Sequence, residues 1–264
     1  MSDKAVYWNR EGSVGVITLN RPASYNVLSQ DVAVGLQQAV RECGAEDSIR
    51  AIVLTGNGNA FCGGGDIKFM VAVREANRSI ESFDELFRVL HGTIIAMREL
   101  PKPIIAALNG VAAGGGLGLA LACDFRIASP KVNLLTAFLG IGASPDSSSS
   151  FFLPRYVGIG RATELFLRNK PVGAEEALTL GLVNAVVPPE HVMPEAMKLA
   201  NELAQGPTAA FGRTKLLLNQ SFNTSLQNHL HSEAQLITIS AQAPDFIEGT
   251  NAFVAKRKAQ FSGK

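Results

Sequence analysis

The residues best placed for chemistry are two runs of glycine. Gly63-Gly64-Gly65 and Gly114-Gly115-Gly116 each follow an apolar run that reads as a buried strand. Glycine lets main-chain N–H groups approach a ligand with no Cβ in the way. The second run also opens a small-residue helix. The first N–H groups of such a helix are unpaired and stand at the positive end of its dipole. Two donors of this kind, aimed at one point, hold a developing oxyanion. A glycine triplet also serves as a tight turn or a close helix contact, and on these residues alone both readings stay open. Neither run is a P-loop, because no Gly-Lys-Ser/Thr follows. Neither makes a dinucleotide fingerprint, because no acidic residue closes a second strand at the expected distance.

Proton carriers are few. Asp146 lies in Ser144-Pro145-Asp146-Ser147-Ser148. Its neighbours suit a helix N-cap, and a carboxylate tied to main-chain N–H groups is a weaker base. His91 falls within a long helix, where a structural or surface role is the simpler reading. His191 sits in a polar connection. His229 and His231, two apart on one helix, point to different faces and make a poor metal pair. Cys62 has no partner base nearby and reads as packing. No metal site is expected.

These groups must be positioned by regular elements. Strands are expected at Val14–Leu19, 49–55, Ile104–Leu108 and 124–128, with further short ones near 132–135 and 184–187. A helix capped by Ser29 runs to about 43, with Val32, Leu36 and Val40 at helical spacing. Another covers 83–100 and is closed by Pro101 and Pro103. The loop 56–66 is rich in glycine, and the polar stretch 74–82 reads as a mobile connection. From Asp146 onward helices begin near 146, 160, 174, 194 and 207. The amphipathic stretch Leu226–Ala241 looks like packing surface or an oligomer contact. Alternation of strand and helix to about Val187 gives an α/β core with a helical C-terminal part. We expect a core over 1–200 and a C-terminal helical region for oligomerisation over 201–264.

The composition excludes several classes. The chain has 264 residues, 47% hydrophobic and 18% charged, which is enough to build a sizeable core. A formal net charge of +1 gives no reason to expect nucleic acid or an anionic membrane as partner. Three scattered cysteines make neither a disulfide framework nor a zinc site. There is no apolar signal core near Met1 and no stretch long enough for a bilayer. A soluble cytoplasmic protein is expected.

Several motifs, in order along nearly the whole chain, resemble the enoyl-CoA hydratase/isomerase (crotonase) family. Ala60-Phe-Cys-Gly-Gly-Gly-Asp-Ile-Lys68 is similar to its "AFxxGxDI" segment. The run from Pro103 through Asn109-Gly110 to Gly118 is similar to its "PxxAAxxGxAxGGG" segment, and Ala122-Cys-Asp124 follows. Pro145-Asp146, Pro154-Arg155, Gly158, Ala174-Glu-Glu-Ala177 and Gly181-Leu-Val-Asn184 continue the order, and Phe253, Lys256-Arg257 and Phe261 match its C-terminal helix. The resemblance implies a spiral of ββα units with a helical C-terminal region, assembled as a homotrimer or a dimer of trimers. It implies an acyl-CoA thioester substrate and no separate cofactor, coenzyme A entering as part of the substrate. The oxyanion donors fall on Gly65 and Gly115. Ala60, Asp66, Ile67, Phe138 and Lys256 fall on positions that bind substrate or coenzyme A. The acyl pocket is expected to be walled by 68–87 and 134–152.

The resemblance also bears on the reaction. The two glutamates of the family's hydratases fall on Gly118 and Phe138, which can neither transfer a proton nor position water. Asp146 falls on the acidic position of the family's isomerases, closest in its motifs to ring-epoxide and Δ3,Δ2-enoyl-CoA isomerases. Ser147-Ser148 stand where small glycines are common. Asp146 and His91 also fall on the nucleophile and base of the family's 4-chlorobenzoyl-CoA dehalogenases. The tryptophan that supports the aspartate there is Phe138 in this chain, which has no N–H to donate. An isomerase is the expected activity, with hydrolysis through a covalent aryl-enzyme as the alternative.

Overall fold

The computed structural model describes residues 4–76 and 79–264. In chain order it runs β1 (Val6–Glu11), β2 (Val14–Leu19), α1 (Gln30–Ala45), β3 (Ala51–Gly56) and β4 (Ala60–Cys62). Next come α2 (Ile67–Glu75), α3 (Ser79–Glu99), β5 (Ile104–Leu108), β6 (Val111–Ala113) and α4 (Gly115–Ala122). The chain continues through β7 (Phe125–Ala128), β8 (Asn133–Leu135), α5 (Ser149–Arg168), β9 (Val172–Gly173), α6 (Ala174–Thr179) and β10 (Ala185–Val186). It closes with α7 (Val192–Ala204), α8 (Thr208–Gln220), α9 (Leu226–Ala241) and α10 (Pro244–Val254).

The strands build two sheets. One has the order β1-β2-β3-β5-β7-β10 and the other β4-β6-β8-β9. Among the described residues only the β1–β2 and β8–β9 pairs are antiparallel. Each central strand of the first sheet is followed directly by a strand of the second: β3 by β4, β5 by β6, and β7 by β8. This repetition is the ββα spiral the motifs imply. Its central strands have both faces covered, so they read as continuous apolar runs, and Ile104–Leu108 is buried at every position. One core joins the sheets to α1, α3, α4 and α5, and a second lies between the first sheet and α7.

Several expectations need correction. β1 reads poorly in sequence because only Val6 of it is buried and its far end is charged and exposed. No helix was expected at 67–73, where α2 lies, and the polar stretch 74–82, expected as a mobile connection, carries the end of α2 and the start of α3. The centre of that stretch, 77–78, lies outside the described residues. Ser29 precedes α1, but its hydroxyl bonds the Asp31 carboxylate instead of capping a main-chain N–H. The two helices expected near 146 and 160 are there, lying on either side of a break at Gly158, with φ 74° and ψ 161°, within the span of α5.

Cys43, Cys62 and Cys123 are unpaired and buried. Burial pushes all three thiols from 9.0 up to about 12. The unfolded chain therefore releases these protons first as pH rises. Their contribution to stability is intact below about pH 9 and is lost progressively towards pH 12. Lys215, lowered by burial, acts with the opposite sign, so a single-thiol comparison is the clean one. Cys123→Ala is expected to lose less stability than wild type between pH 9 and 11 in urea unfolding, and no thiol of the native protein should react with a disulfide reagent at pH 8.

Candidate active site

The first glycine loop is fixed from two sides. β4 pairs with β6, which begins just past the turn at Asn109-Gly110. The segment 25–28 then clamps the glycines: Gly63 N donates to Tyr25 O at 2.8 Å, and Leu28 N donates to Gly64 O at 2.7 Å. That segment is held by Asn26, which is fully buried. Asn26 Nδ2 donates to the carbonyls of Asn57 at 2.9 Å and Ala60 at 2.8 Å, and its Oδ1 accepts from Arg21 N at 2.8 Å. Sequence reading missed Asn26 because its three partners are main-chain groups that only the fold brings together.

Both candidate oxyanion donors follow a glycine in the left-handed half of backbone space. Gly64 has φ 95° and Gly114 has φ 52° with ψ −121°. Side chains disfavour these conformations, and here they set the direction of the next peptide N–H, that of Gly65 or Gly115. Gly115 opens α4, so its N–H lies at the positive end of that helix. Among the described residues no acceptor is paired with the N–H of Gly65 or of Gly115.

Asp146 does not cap the helix that follows it. The residue before α5 is Ser148, which makes no side-chain cap, and it is the Asp146 carbonyl that accepts from Ser149 N at 3.2 Å. The carboxylate is left for other partners. Its Oδ1 lies 2.6 Å from His91 Nε2, and its Oδ2 accepts from Ser147 Oγ at 3.1 Å. With the proton on Nε2 the imidazole donates to the carboxylate. The Asp146 side chain is 26% exposed and that of His91 47%, so the pair sits at a mouth open to solvent. The His91 ring stacks on Phe87 at 5.6 Å, and Phe87 stacks on Phe83 at 5.7 Å, all on one face of α3. This ladder fixes the plane from which Nε2 reaches Asp146.

Gly65, Gly115 and Asp146 line a single cavity of about 280 Å3. Its apolar walls include Ile67, Met70, Phe87, Phe138 and Ile141. The structure thus brings together five of the residues singled out in sequence, with His91 joined to them through Asp146. Ala60 is buried in β4 and does not line the cavity. The Asp66 carboxylate caps α2, accepting from Phe69 N at 3.1 Å. Lys256 is exposed beyond α10, away from the cavity lining. A larger cleft, about 670 Å3, opens between Arg50, Lys102 and Lys264 but shares no residue with the glycine loops. The convergence of polar groups, not size, picks out the smaller cavity.

Gly118 has no room for a carboxylate. A Cβ there would lie 1.9 Å from Ser147 O, so any side chain would displace the turn that carries Asp146.

The sequence profile of the enoyl-CoA hydratase/isomerase family matches residues 9–264. The chain belongs to that family. This enoyl-CoA hydratase/isomerase family member is 34% identical to the 1,2-epoxyphenylacetyl-CoA isomerase of Escherichia coli strain K12, over 96% of this chain and 97% of that one. It is 33% identical to 4-chlorobenzoyl coenzyme A dehalogenase-2 of an Arthrobacter species, over 97% and 92% of the two chains. The crystal structure of an enoyl-CoA hydratase from Polaromonas sp. JS666 superposes with a TM-score of 0.92 at 31% identity, covering 97% of this chain and 99% of that one. These relatives carry three different activities, so family membership alone does not choose the reaction.

Proposed function

We propose that this protein is an acyl-CoA isomerase that moves a proton between two carbons of the acyl group, shifting a double bond or rearranging a ring epoxide. The observation that carries the reading is that, among the described residues, Asp146 is the one carboxylate lining the cavity. Syn hydration by the two-glutamate route needs a base for water and an acid for the α-carbon. Gly118 and Phe138 supply neither. One carboxylate is enough for isomerisation. The thioester carbonyl accepts from the N–H groups of Gly65 and Gly115. Asp146 takes a proton from the carbon next to that carbonyl, and the charge left behind passes to the oxygen as an enolate. The protonated Asp146 then returns the proton to a different carbon. The apolar walls keep the oxyanion in a medium where both donors count for more than in water.

The 2.6 Å contact of His91 with Asp146 favours a second reading. In it Asp146 attacks an aromatic ring, halide leaves, and His91 deprotonates the water that frees the product. Phe138 cannot donate the hydrogen bond that would brace the aspartate, which weighs against it. Turnover of a 3-enoyl-CoA to its 2-enoyl isomer tests the first reading. Chloride release from 4-chlorobenzoyl-CoA in its place would move the assignment to hydrolysis.

Coenzyme A enters as part of the substrate, and no separate cofactor is required by this chemistry. The unpaired buried thiols suit a reducing cytoplasm, and among the described residues no helix is long and apolar enough to cross a membrane. We also assign the chain to a homotrimer or a dimer of trimers. Leu226, Leu230 and Ile237 of α9 and Phe253 of α10 are exposed, and apolar surface of this extent marks an interaction site. Sedimentation at micromolar concentration is expected to give a trimer-based mass, and a monomer would overturn the assignment.

A further inference from the structure

Ser147 stands between the base and the oxyanion hole. It is 2% exposed and has φ 52°, and Ser148 beside it has φ 66°. Glycine adopts this region without strain, and serine does not. The Ser147 hydroxyl donates to Asp146 Oδ2 at 3.1 Å. A Cβ built on Gly115 would lie 2.9 Å from the same Oγ, so the hydroxyl rests against the residue whose N–H is the second oxyanion donor. The main chain of this turn is pinned as well. Ser147 O lies over Gly118, and Ser148 Oγ donates to Ser147 O at 2.5 Å.

With Oδ1 on His91 and Oδ2 on Ser147, the Asp146 carboxylate cannot turn about its Cβ–Cγ bond without giving up a hydrogen bond. We propose that Ser147 is a positioning residue that locks the plane of the Asp146 carboxylate against the oxyanion hole, fixing which carbons of the bound acyl group it reaches. The inference rests on the isomerase reading. Orientation of this kind acts on the chemical step, not on binding. The thioester meets the N–H groups and the apolar walls, and the Ser147 hydroxyl is already engaged with Asp146.

Two substitutions separate the hydroxyl from the backbone. Ser147→Ala keeps the Cβ and removes the hydroxyl, while Ser147→Gly removes both and relieves the strained φ. Steady-state kinetics on a 3-enoyl-CoA, with wild type alongside, are expected to show kcat lowered about tenfold in both variants, as for one lost hydrogen bond to a charged group. KM should stay within about twofold. In an Asp146→Asn background, Ser147→Ala should add nothing, because its effect passes through the carboxylate. A purely structural serine predicts the opposite. Ser147→Gly would then match or exceed wild type, or Ser147→Ala would add its full loss to Asp146→Asn. Either result overturns the proposal while leaving the isomerase reading intact. A wild type that isomerises neither a 3-enoyl-CoA nor a ring-epoxidised phenylacetyl-CoA overturns both.

Discussion

Asp146→Asn is expected to lower isomerase kcat by about 10²–10⁴-fold, the usual worth of a positioned general acid–base group. Asparagine keeps the shape and can still bond His91 and Ser147, so folding and thioester binding should survive. What it lacks is a site that takes up a proton and gives it back. The same substitution also stops the hydrolytic alternative, because an amide is no nucleophile, so Asp146→Asn by itself does not choose between them. His91→Gln does. In the isomerase reading His91 only orients the carboxylate, and glutamine can still donate to it. The cost should stay below the roughly tenfold that begins the range for a hydrogen bond to a charged group lost outright. In hydrolysis the imidazole must deprotonate water, and glutamine cannot. Near-normal isomerisation by His91→Gln removes the histidine from the chemistry. Loss of turnover as deep as that of Asp146→Asn would place it there.

Gly114→Ala is expected to cost about 10²–10³-fold in kcat, the effect of losing one oxyanion donor. The added methyl meets nothing closer than 3.8 Å, so the substitution overpacks nothing. Its effect comes through the backbone. A residue with a Cβ disfavours φ 52° and ψ −121°, and holding it there costs about 1–3 kcal/mol. The chain relieves that strain by rotating the peptide between 114 and 115, which turns the Gly115 N–H away from the thioester oxygen. KM should move little, since the acyl group keeps its apolar walls. Gly160→Ala is the control. It lies in α5 with nothing within 4 Å of the new Cβ, and in helical conformation alanine is favoured over glycine by about 1 kcal/mol. That variant should keep full activity and lose no thermal stability. Equal losses in both variants would remove the oxyanion role from Gly114-Gly115.

The long elements were legible because each is set by its own residues. Ile104–Leu108 is an unbroken apolar run buried at every position, and Leu226–Ala241 has the bounds read from its sequence. The three-residue strands β4 and β6 were not legible. Each takes its conformation from a neighbour in the second sheet, and Ala60-Phe-Cys62 on its own looks like more of a glycine-rich loop. α2 hid behind the same loop, although Asp66 followed by Ile67 and Met70 was a readable cap and apolar face. The site divides in the same way. Gly65, Gly115 and Asp146 stand in motifs that the family resemblance brings out. Local sequence pointed instead to Asp146 as a cap. The contact that decides against this comes from His91, which is 55 residues away in the chain and meets it only when α3 packs under the turn before α5. Asn26 carried no signal, and Ser147 only that of a serine where small glycines are common, since a buried Asn or Ser takes its role from groups the fold delivers.

A thioester enolate that forms in this cavity, with Asp146 moving the proton, leaves a trace in the product. Incubation of the wild-type protein with a 3-enoyl-CoA in heavy water, followed by mass spectrometry of the acyl group, tests for it most directly. The expected result is 2-enoyl product, with deuterium in the acyl chain wherever the partly exposed Asp146 carboxyl exchanges its proton before returning it, and neither product nor deuterium above background for Asp146→Asn. Thioester binding by the wild type with neither isomerisation nor deuterium uptake would contradict this and leave a protein that binds acyl-CoA without forming its enolate.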